Sequence, residues 1–107
     1  MLTIASQAGA ECGNLCDYEW VRTATPADVQ AELDGGADVM ARDEDGFTPL
    51  HGAAQYGSSA NIQPLLDAGA DAKAKNKEGK TPWDYAQNNK DLKGTKGYWA
   101  LNDAQYN

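Results

Sequence analysis

The sequence predicts an all-α solenoid in which short helix-loop-helix units stack against one another. Two stretches of the 107-residue chain, 34–49 and 67–82, are identical at 8 of 16 positions and lie at a constant offset of 33 residues. Each stretch contains a Gly-Ala-Asp sequence and, further along, a Thr-Pro pair. A repeat of this length is typical of stacked arrays, whose units are unstable alone and bury their apolar faces against their neighbours.

The first unit is predicted to contain two helices. An i, i+3, i+6 spacing of apolar residues favours a short helix over residues 15–21. Thr25 and Asp28 form a capping-box pattern around Pro26, which is suited to the first helical position. A second helix is therefore predicted from Pro26 to about Leu33, ended by two glycines that adopt left-handed backbone easily.

The second unit begins with a non-helical arm. Ala37, Val39 and Ala41 alternate with Asp38, Met40 and Arg42, which predicts that residues 37–47 form an extended arm ending in the turn dipeptide Asp45-Gly46. Thr48 is predicted to cap the next helix, over about residues 49–55. A glycine then breaks the chain, and a further helix is predicted to end at Asp67.

Pro64 is the most unusual residue of that further helix. If the helix begins at Ser58, Pro64 lies past its first turn and removes a hydrogen bond, at a cost of about 3 kcal/mol. If Asn61 is the N-cap, Pro64 occupies the third position and is tolerated. The sequence favours a late helix start or a kink.

The third unit follows the same plan as the second. A helix is predicted from Pro82 to about Gln87, with Thr81 as its cap. A last helix is predicted over about residues 95–104. The residues of this last helix that are predicted to be buried are Tyr98, Trp99 and Leu101.

These units resemble the ankyrin repeat. The residues that carry the resemblance are Thr48-Pro49-Leu50-His51, Ala53-Ala54, Gly57, Leu65-Leu66 and Gly69-Ala70-Asp71. The resemblance covers about residues 15–104 and implies an ankyrin-repeat solenoid whose units are joined by β-turn fingers. The implied domain spans residues 12–107 and contains a degenerate capping unit and two full repeats. These units span about residues 12–45, 46–78 and 79–107.

One position departs from the ankyrin pattern in a way that bears on packing. Gly52 stands where the family usually has leucine, which suggests a shallow and underfilled spot in the core.

Charge and hydropathy exclude several classes of partner. The net charge is −7, with −10 carried by residues 1–72 and +3 by residues 73–107. A protein that binds a nucleic-acid backbone normally has the opposite sign. No apolar run approaches the length of a transmembrane helix. We therefore expect neither a nucleic acid nor a membrane as the partner.

Residues 1–11 are predicted to be an N-terminal extension. Ala8-Gly9-Ala10 resembles a signal-peptidase site, so the extension is either a remnant of a signal peptide or a disordered tail. The only two cysteines, Cys12 and Cys16, follow directly and are close enough in sequence to form a disulfide. A disulfide would fit a periplasmic or secreted protein, whereas two free thiols would fit the cytoplasm.

The sequence offers no catalytic, metal-binding or cofactor-binding constellation. His51 is the only histidine, and its place in the Thr-Pro-Leu-His motif predicts hydrogen bonds to Thr48 and to the backbone of the adjacent turn. The acidic run from Asp43 to Gly46 lacks the spacing of a calcium loop, whose twelfth residue should be Glu, because that position is Ala54. We therefore predict that the chain is not an enzyme and needs no cofactor.

The resemblance implies that the chain binds another protein through its turn tips and the exposed edge of each first helix. By motif position this surface comprises Arg42, Glu44, Asp45, Phe47, Gln55, Tyr56, Lys75, Lys77, Glu78 and Lys80. Phe47 and Tyr56 are expected to be exposed anchors whose removal weakens binding and leaves folding nearly unaffected. The acidic first tip and the basic second tip favour a partner of the reverse polarity.

Two other classes of function stay open. The cysteine pair would suit a thiol-dependent redox or stress-related exported protein. The opposite charges of the two halves would suit a structural module that associates weakly with itself, head to tail.

Overall fold

The computed structural model describes residues 9–57 and 59–106, with side chains from residue 13 onward. Within these residues the chain forms helices and turns without any β-strand, which confirms the all-α class. The α-helices are α1 (Tyr18–Thr23), α2 (Pro26–Asp34), α3 (Pro49–Tyr56), α4 (Ile62–Asp67), α5 (Pro82–Ala86) and α6 (Lys96–Ala104). A kinked 3₁₀ segment, Gly9–Cys16, precedes α1, and a 3₁₀ turn, Ser59–Asn61, leads into α4. In this described part no helix has the length and apolar character needed to span a bilayer.

The helices form two rows. Helix α3 packs against α1 on one side and α5 on the other, and α4 packs in the same way between α2 and α6. The two rows also contact each other where α3 meets α4 and α5 meets α6. This is the stacked arrangement that the 33-residue repeat predicts, in which each unit buries its apolar side against the next.

The core between the rows consists mainly of small and branched aliphatic side chains. Leu50, Ile62, Leu92 and Leu101 are completely buried. Ala54 is also buried without exposure, and its small side chain lets neighbouring helices approach closely. The short helices are therefore stabilised by packing between units, because helices of five to nine residues are not stable by themselves.

Three helices begin with the same capping box. Thr25, Thr48 and Thr81 are the N-caps of α2, α3 and α5, and a proline follows each one. The threonine side chain accepts from the backbone N–H three residues later, and the side chain of that third residue accepts from the threonine N–H. Two donors that the helix leaves unpaired are thus satisfied, which confirms the helix starts predicted from the Thr-Pro pairs.

The predicted first helix is wrong in its boundaries. Residues 15–21 do not form one helix, because the 3₁₀ segment ends at Cys16 and α1 begins at Tyr18. Asp17 separates them as an N-cap, since its carboxylate accepts from the backbone N–H groups of Glu19 and Trp20 at 3.0 and 3.4 Å. The apolar spacing does not reveal this second helix start, because an N-cap residue can separate two helical segments without changing the pattern of apolar residues.

The arm at residues 37–47 contains one more turn than the sequence predicts. Val39 and Ala41 are buried while Asp38, Met40 and Arg42 are exposed, as the alternation predicts. A turn nevertheless falls at residues 39–40, before the turn at residues 44–45, which lies one residue earlier than the predicted Asp45-Gly46 turn. The N–H of Met40 donates to the Asp38 carboxylate at 2.8 Å, and this local bond bends the arm.

The predicted burial of Trp99 is also wrong. Tyr98 and Leu101 are buried, as predicted, but Trp99 is 53% exposed. Successive residues of a helix point about 100° apart, so Tyr98 and Trp99 cannot both face the core. Tyr98 takes the core position and stacks on Trp83 with ring centroids 4.5 Å apart. Trp99 is left against the edge of Tyr98 at 5.0 Å.

Pro64 lies at the third position of α4, because Asn61 is the N-cap. The late start that the sequence favours is therefore confirmed. The N–H that proline lacks would have no partner within the helix at this position. Pro64→Ala should consequently change the free energy of unfolding by less than about 0.5 kcal/mol. Urea unfolding of both proteins measures it, and a gain above about 1 kcal/mol would show that Pro64 disrupts the helix.

Candidate protein-binding face

Two fingers connect the units and carry most of the residues predicted to contact a partner. The first finger spans residues 43–47 and the second residues 76–80, which correspond at the offset of 33. In each finger the N–H of the first residue, Asp43 or Asn76, donates to the carbonyl of the last residue at 3.0 Å. The side-chain oxygen of that first residue also accepts from two backbone N–H groups at 2.9–3.1 Å. Each tip is therefore held by its own first residue.

The fingers are also bonded to each other. The N–H of Lys77 donates to the carbonyl of Asp45 at 3.0 Å. The Arg42 Nη1 atom donates to the carbonyls of Gly46 at 3.0 Å and Lys75 at 2.8 Å. Gly46 has a φ of +82°, and a Cβ there would lie 3.1 Å from the Lys77 nitrogen, so this close approach needs glycine. Arg42 was predicted as a contact residue, and in the structure its guanidinium joins the two fingers.

The predicted contact residues lie in the two fingers, directly before each finger and at the end of α3. Gln55 and Phe47 are half-buried, and the other eight are exposed. The exposed residues are Arg42, Glu44, Asp45, Tyr56, Lys75, Lys77, Glu78 and Lys80. The first tip thus presents two carboxylates and the second tip presents mainly ammonium groups. Whether these residues contact a partner stays a prediction.

Aromatic rings form a continuous row beneath the fingers. Tyr56 packs on Tyr18 with ring centroids 5.0 Å apart, and Tyr18 meets Phe47 at 6.2 Å. Phe47 in turn meets His51 at 5.5 Å and Tyr85 at 5.3 Å. The expectation that Phe47 is an exposed anchor is therefore wrong, because its ring lies between three other rings from α1, α3 and α5.

Tyr18 fixes the first finger to α1. Its hydroxyl donates to the Asp43 Oδ2 atom at 2.9 Å. Burial raises the pKa of the Tyr18 hydroxyl above its usual value, and the hydrogen bond to the Asp43 carboxylate raises it further. The second finger has a matching contact, since the Asn76 amide nitrogen donates to the Tyr85 hydroxyl oxygen at 2.8 Å. Both fingers are thus bonded through their first residue to a tyrosine.

The expectation of an underfilled spot at Gly52 is wrong. Gly52 is buried in α3, and a Cβ there would lie 3.3 Å from the ring of Tyr18. The Tyr18 ring occupies the space that a larger side chain at position 52 would fill. A glycine inside a helix, with no turn to make, is the signal that could have indicated this contact, because such a glycine often has a packing reason. Sequence reasoning included neither Tyr18 nor Tyr85 in the site.

His51 makes the hydrogen bonds that its motif position predicts. Its Nδ1 atom accepts from the backbone N–H of Thr48 at 3.1 Å, and its Nε2 atom lies 2.8 Å from the carbonyl of Lys80. Because Nδ1 accepts from an N–H group, the proton of the neutral ring is on Nε2, which donates to Lys80. The ring therefore caps α3 and holds the end of the second finger. Burial lowers the pKa of His51 from 6.5, the nearby Arg42 guanidinium lowers it further, and the Lys80 carbonyl and Asp43 oppose the shift.

We expect stability to fall in mildly acidic solution because of His51. A protonated ring would place a hydrogen on Nδ1 against the Thr48 N–H, so the fold favours the neutral form. The folded-state pKa is lower than the unfolded value near 6.5. The stabilisation is therefore complete above pH 6.5 and is lost as the pH falls through the folded-state pKa. Urea unfolding between pH 8 and 5 measures it.

His51→Ala provides the control for this pH dependence. It should lower the free energy of unfolding at pH 8 by about 1–3 kcal/mol and remove the loss below pH 6.5. The chain has no other histidine, so a pH dependence that survives in this variant would assign the effect to carboxylates instead.

The described residues show no arrangement suited to metal binding. Within residues 13–57 and 59–106, no group of three or more His, Cys, Asp or Glu side chains is placed to hold an ion. Cys16 is half-buried, but the Cys12 side chain lies outside the described residues, as do residues 1–8 of the predicted extension. The disulfide and the signal-peptide site therefore stay predictions.

Comparison with known proteins agrees with the repeat pattern. A family model described as ankyrin repeats (many copies) matches residues 31–86, which include the first finger, α3, α4, the second finger and α5. No curated protein sequence matches the chain.

Proposed function

The chain belongs to the ankyrin-repeat family, whose repeats generally mediate binding to other proteins, and on that premise we propose that it binds a protein partner. The binding face comprises the two finger tips and the exposed end of α3. One observation carries the proposal. The charged side chains of the tips are exposed, and in the described residues those of Glu44, Asp45 and Lys77 make no hydrogen bond or ion pair. They are therefore available to a partner.

The contact residues fall into two groups. Those proposed to touch the partner are Glu44, Asp45, Gln55, Tyr56, Lys75, Lys77, Glu78 and Lys80. Arg42 and Phe47 are proposed to act through these residues, because the Arg42 guanidinium holds the fingers together and the Phe47 ring supports them from below. Tyr56 is the strongest candidate for an anchor, since it is aromatic and 39% exposed.

Site-specific photo-crosslinking in the source cells tests the proposed face. A photoreactive phenylalanine analogue is placed at Tyr56 or Glu78 and, as a matched control, at Gln30 or Gln63. Both glutamines are exposed on the second row of helices, on α2 and α4. We expect one adduct from positions 56 and 78 and none from positions 30 and 63. The same adduct from all four positions, or from the glutamines alone, would move the binding face elsewhere.

Binding of the captured partner is then measured with variants. Tyr56→Ala should weaken binding by about 2 kcal/mol or more, while Gln63→Ala should not change it. Lys77→Glu should mainly slow association with an acidic surface of the partner, and added salt should reduce the difference. Unchanged affinity in Tyr56→Ala would argue against Tyr56 as an anchor.

We also propose that binding is the whole of the activity, without catalysis. Ankyrin-repeat proteins are typically non-enzymatic, and both ring nitrogens of His51 are engaged in structural bonds. The competing hypothesis, a thiol-dependent redox protein, predicts a turnover that alkylation of the cysteines abolishes. Assay of the purified protein with a disulfide substrate decides between them.

We propose in addition that Cys12 and Cys16 are bonded in protein made in an oxidising compartment. Both lie in the kinked 3₁₀ segment, on either side of Gly13, and this segment packs against α1, α2 and α3. Peptide mapping without reduction should therefore yield one peptide that contains both cysteines and is lighter by two hydrogens than its reduced form. Recovery of both thiols free from exported protein would contradict it.

Weak head-to-tail self-association is a second candidate. Trp99 is 53% exposed and Tyr106 is 78% exposed, and both lie within residues 73–107, which carry a net charge of +3, whereas residues 1–72 carry −10. Sedimentation velocity at low salt and rising concentration should then show a growing weight-average mass. A constant monomer mass would remove this candidate.

A further inference from the structure

The two ends of the helix stack differ in how they are attached to its middle. Helices α1 and α2, which we call the first helix pair (residues 18–34), pack on α3 and α4 from one side, and α5 and α6 pack on them from the other. An end pair has a single neighbouring pair, so either end of a stack can undock while the remainder stays folded. Which end undocks first depends on the side chains that each end buries and on the hydrogen bonds that it makes.

The first helix pair buries little apolar surface. Within residues 18–34, Val21 and Val29 are the only buried side chains. At the other end, Leu92 and Leu101 are completely buried and Tyr98 is nearly so. Because stabilisation by apolar burial grows with the area removed from water, docking of the first helix pair is the less favourable of the two.

A small cavity lies between the first helix pair and the helices on which it docks. Its volume of about 10 Å³ leaves room for about one water molecule. Trp20, Val21 and Val29 line it from the first helix pair, and Ala53 and Leu65 line it from α3 and α4. Side chains that face a cavity lack the dispersion contacts of a closely packed core, so docking gains less than close packing would give.

Asn61 adds an unpaired polar group to the same interface. Its side chain lines the cavity and is 1% exposed. The Nδ2 atom donates to the carbonyl of Ala24 at 2.9 Å, whereas the Oδ1 atom has no hydrogen-bond partner among the described residues. A buried acceptor without a partner costs free energy, which is recovered when undocking exposes it to water. At the other end the amide of Asn89 is satisfied, since its Nδ2 atom donates to the Ala54 carbonyl and its Oδ1 atom accepts from the Asp91 N–H.

Tyr18 attaches the first helix pair to the first finger. Its hydroxyl donates to the Asp43 Oδ2 atom at 2.9 Å, and its ring packs on Tyr56 with centroids 5.0 Å apart. The second finger is attached to α3 and α5 instead, through His51 and Tyr85. Undocking of the first helix pair therefore frees the first finger from α1 and leaves these attachments of the second finger intact.

We propose that the first helix pair undocks from α3 and α4 as one unit, before the remainder of the chain unfolds, and carries Tyr18 away from the first finger. The exposed Gly35 and Gly36, which directly follow α2, supply the hinge. Its consequence for binding rests on the proposed function. The docked form alone presents the complete face, so a partner that contacts Tyr56 stabilises docking.

Hydrogen exchange of the full chain at low urea concentrations tests the undocking without a partner. Helices α2 and α6 are matched reporters, because both have nine residues and pack on opposite sides of α4. We expect the amides of α2 to share one opening that is populated about 10-fold or more above the opening of α6. The Asp43 amide should exchange through the opening of α2, whereas the corresponding amide of Asn76 should not.

Two substitutions should shift the opening of α2 in opposite directions. Tyr18→Phe removes the bond to Asp43 and keeps the ring, so the opening should become about 3-fold to 10-fold more populated. Val29→Ile adds one methylene beside the cavity and should make it about 3-fold less populated. Neither should change the opening of α6. The control is Tyr85→Phe, which removes a hydroxyl bonded to the second finger and should leave the opening of α2 unchanged.

Each other outcome overturns the inference. Equal protection of α2 and α6, or easier opening of α6, would contradict the undocking, as would an α2 opening that both substitutions leave unchanged. Equal protection of Asp43 and Asn76 would contradict the release of the first finger. If crosslinking from positions 56 and 78 succeeds while α2 and α6 open together, the proposed function stands and the undocking falls. If crosslinking fails while α2 opens first, the proposed function falls and the undocking stands.

Discussion

Replacing Gly97 with alanine should lower the free energy of unfolding by about 2–3 kcal/mol, although alanine is the better helix former. Gly97 is buried in the first turn of α6, against the 3₁₀ turn that precedes α4. A Cβ at position 97 would collide with the Ser59 carbonyl oxygen and would lie 2.8 Å from its Oγ atom and 2.9 Å from its Cα atom. Two of these atoms are backbone, so the two elements would have to separate.

Separation would also break a hydrogen bond. The N–H of Gly97 donates to the Ser59 Oγ atom at 2.8 Å and joins α6 to the second unit. Its loss adds about 1 kcal/mol to the cost of the clash. Urea unfolding followed by circular dichroism measures the total, with Lys96→Ala as a control at an exposed position of the same helix turn. A Gly97→Ala protein as stable as Lys96→Ala would show that the contact yields easily.

Phe47→Ala should destabilise the protein by about 2–3 kcal/mol, somewhat less than the 3–5 kcal/mol typical of a fully buried phenylalanine. The Phe47 ring contacts Tyr18, His51 and Tyr85, which belong to three successive units. Alanine would leave a space between these rings and remove their aromatic contacts, each of which adds about 0.5–1.5 kcal/mol. The sequence alone predicted that removal of Phe47 would leave folding nearly unaffected. The ring contacts predict a loss of stability instead.

The matched control for Phe47→Ala is Tyr56→Ala. Tyr56 has one aromatic contact, with Tyr18, and is more exposed, so its loss should cost less than about 1 kcal/mol of stability. Thermal and urea unfolding of the two variants give the comparison. If Phe47→Ala proves as stable as Tyr56→Ala, the ring row does not support the fingers. If Phe47→Ala is the less stable variant, a loss of binding in that variant reflects its altered structure. Only Tyr56→Ala then tests a direct contact with the partner.

The capping boxes show which features a sequence determines by itself. Each one connects a threonine to the residue three positions later, so the information lies within four consecutive residues. The third residue differs between units, as Asp28, His51 and Asp84, yet all three accept from the threonine N–H. The helix starts and the structural role of His51 were therefore predictable. The 33-residue repeat also made the solenoid fold predictable, because a repeat of this length implies that similar units stack on one another.

The composition of the binding face depends on contacts between units. Tyr18 lies 25 residues before Asp43 and 34 before Gly52, yet it bonds to the first and fills the space beside the second. Arg42 reaches a carbonyl 33 residues away, and Trp99 is exposed because Tyr98 has taken the place against Trp83. No local pattern encodes these distances. The sequence alone determined the three helix starts at the Thr-Pro pairs, the turns of the two fingers and the stacking, because those arise from neighbouring residues and their repetition. The tertiary structure decided which exposed-looking side chains support the fingers and which remain free for a partner, because that depends on which units come into contact.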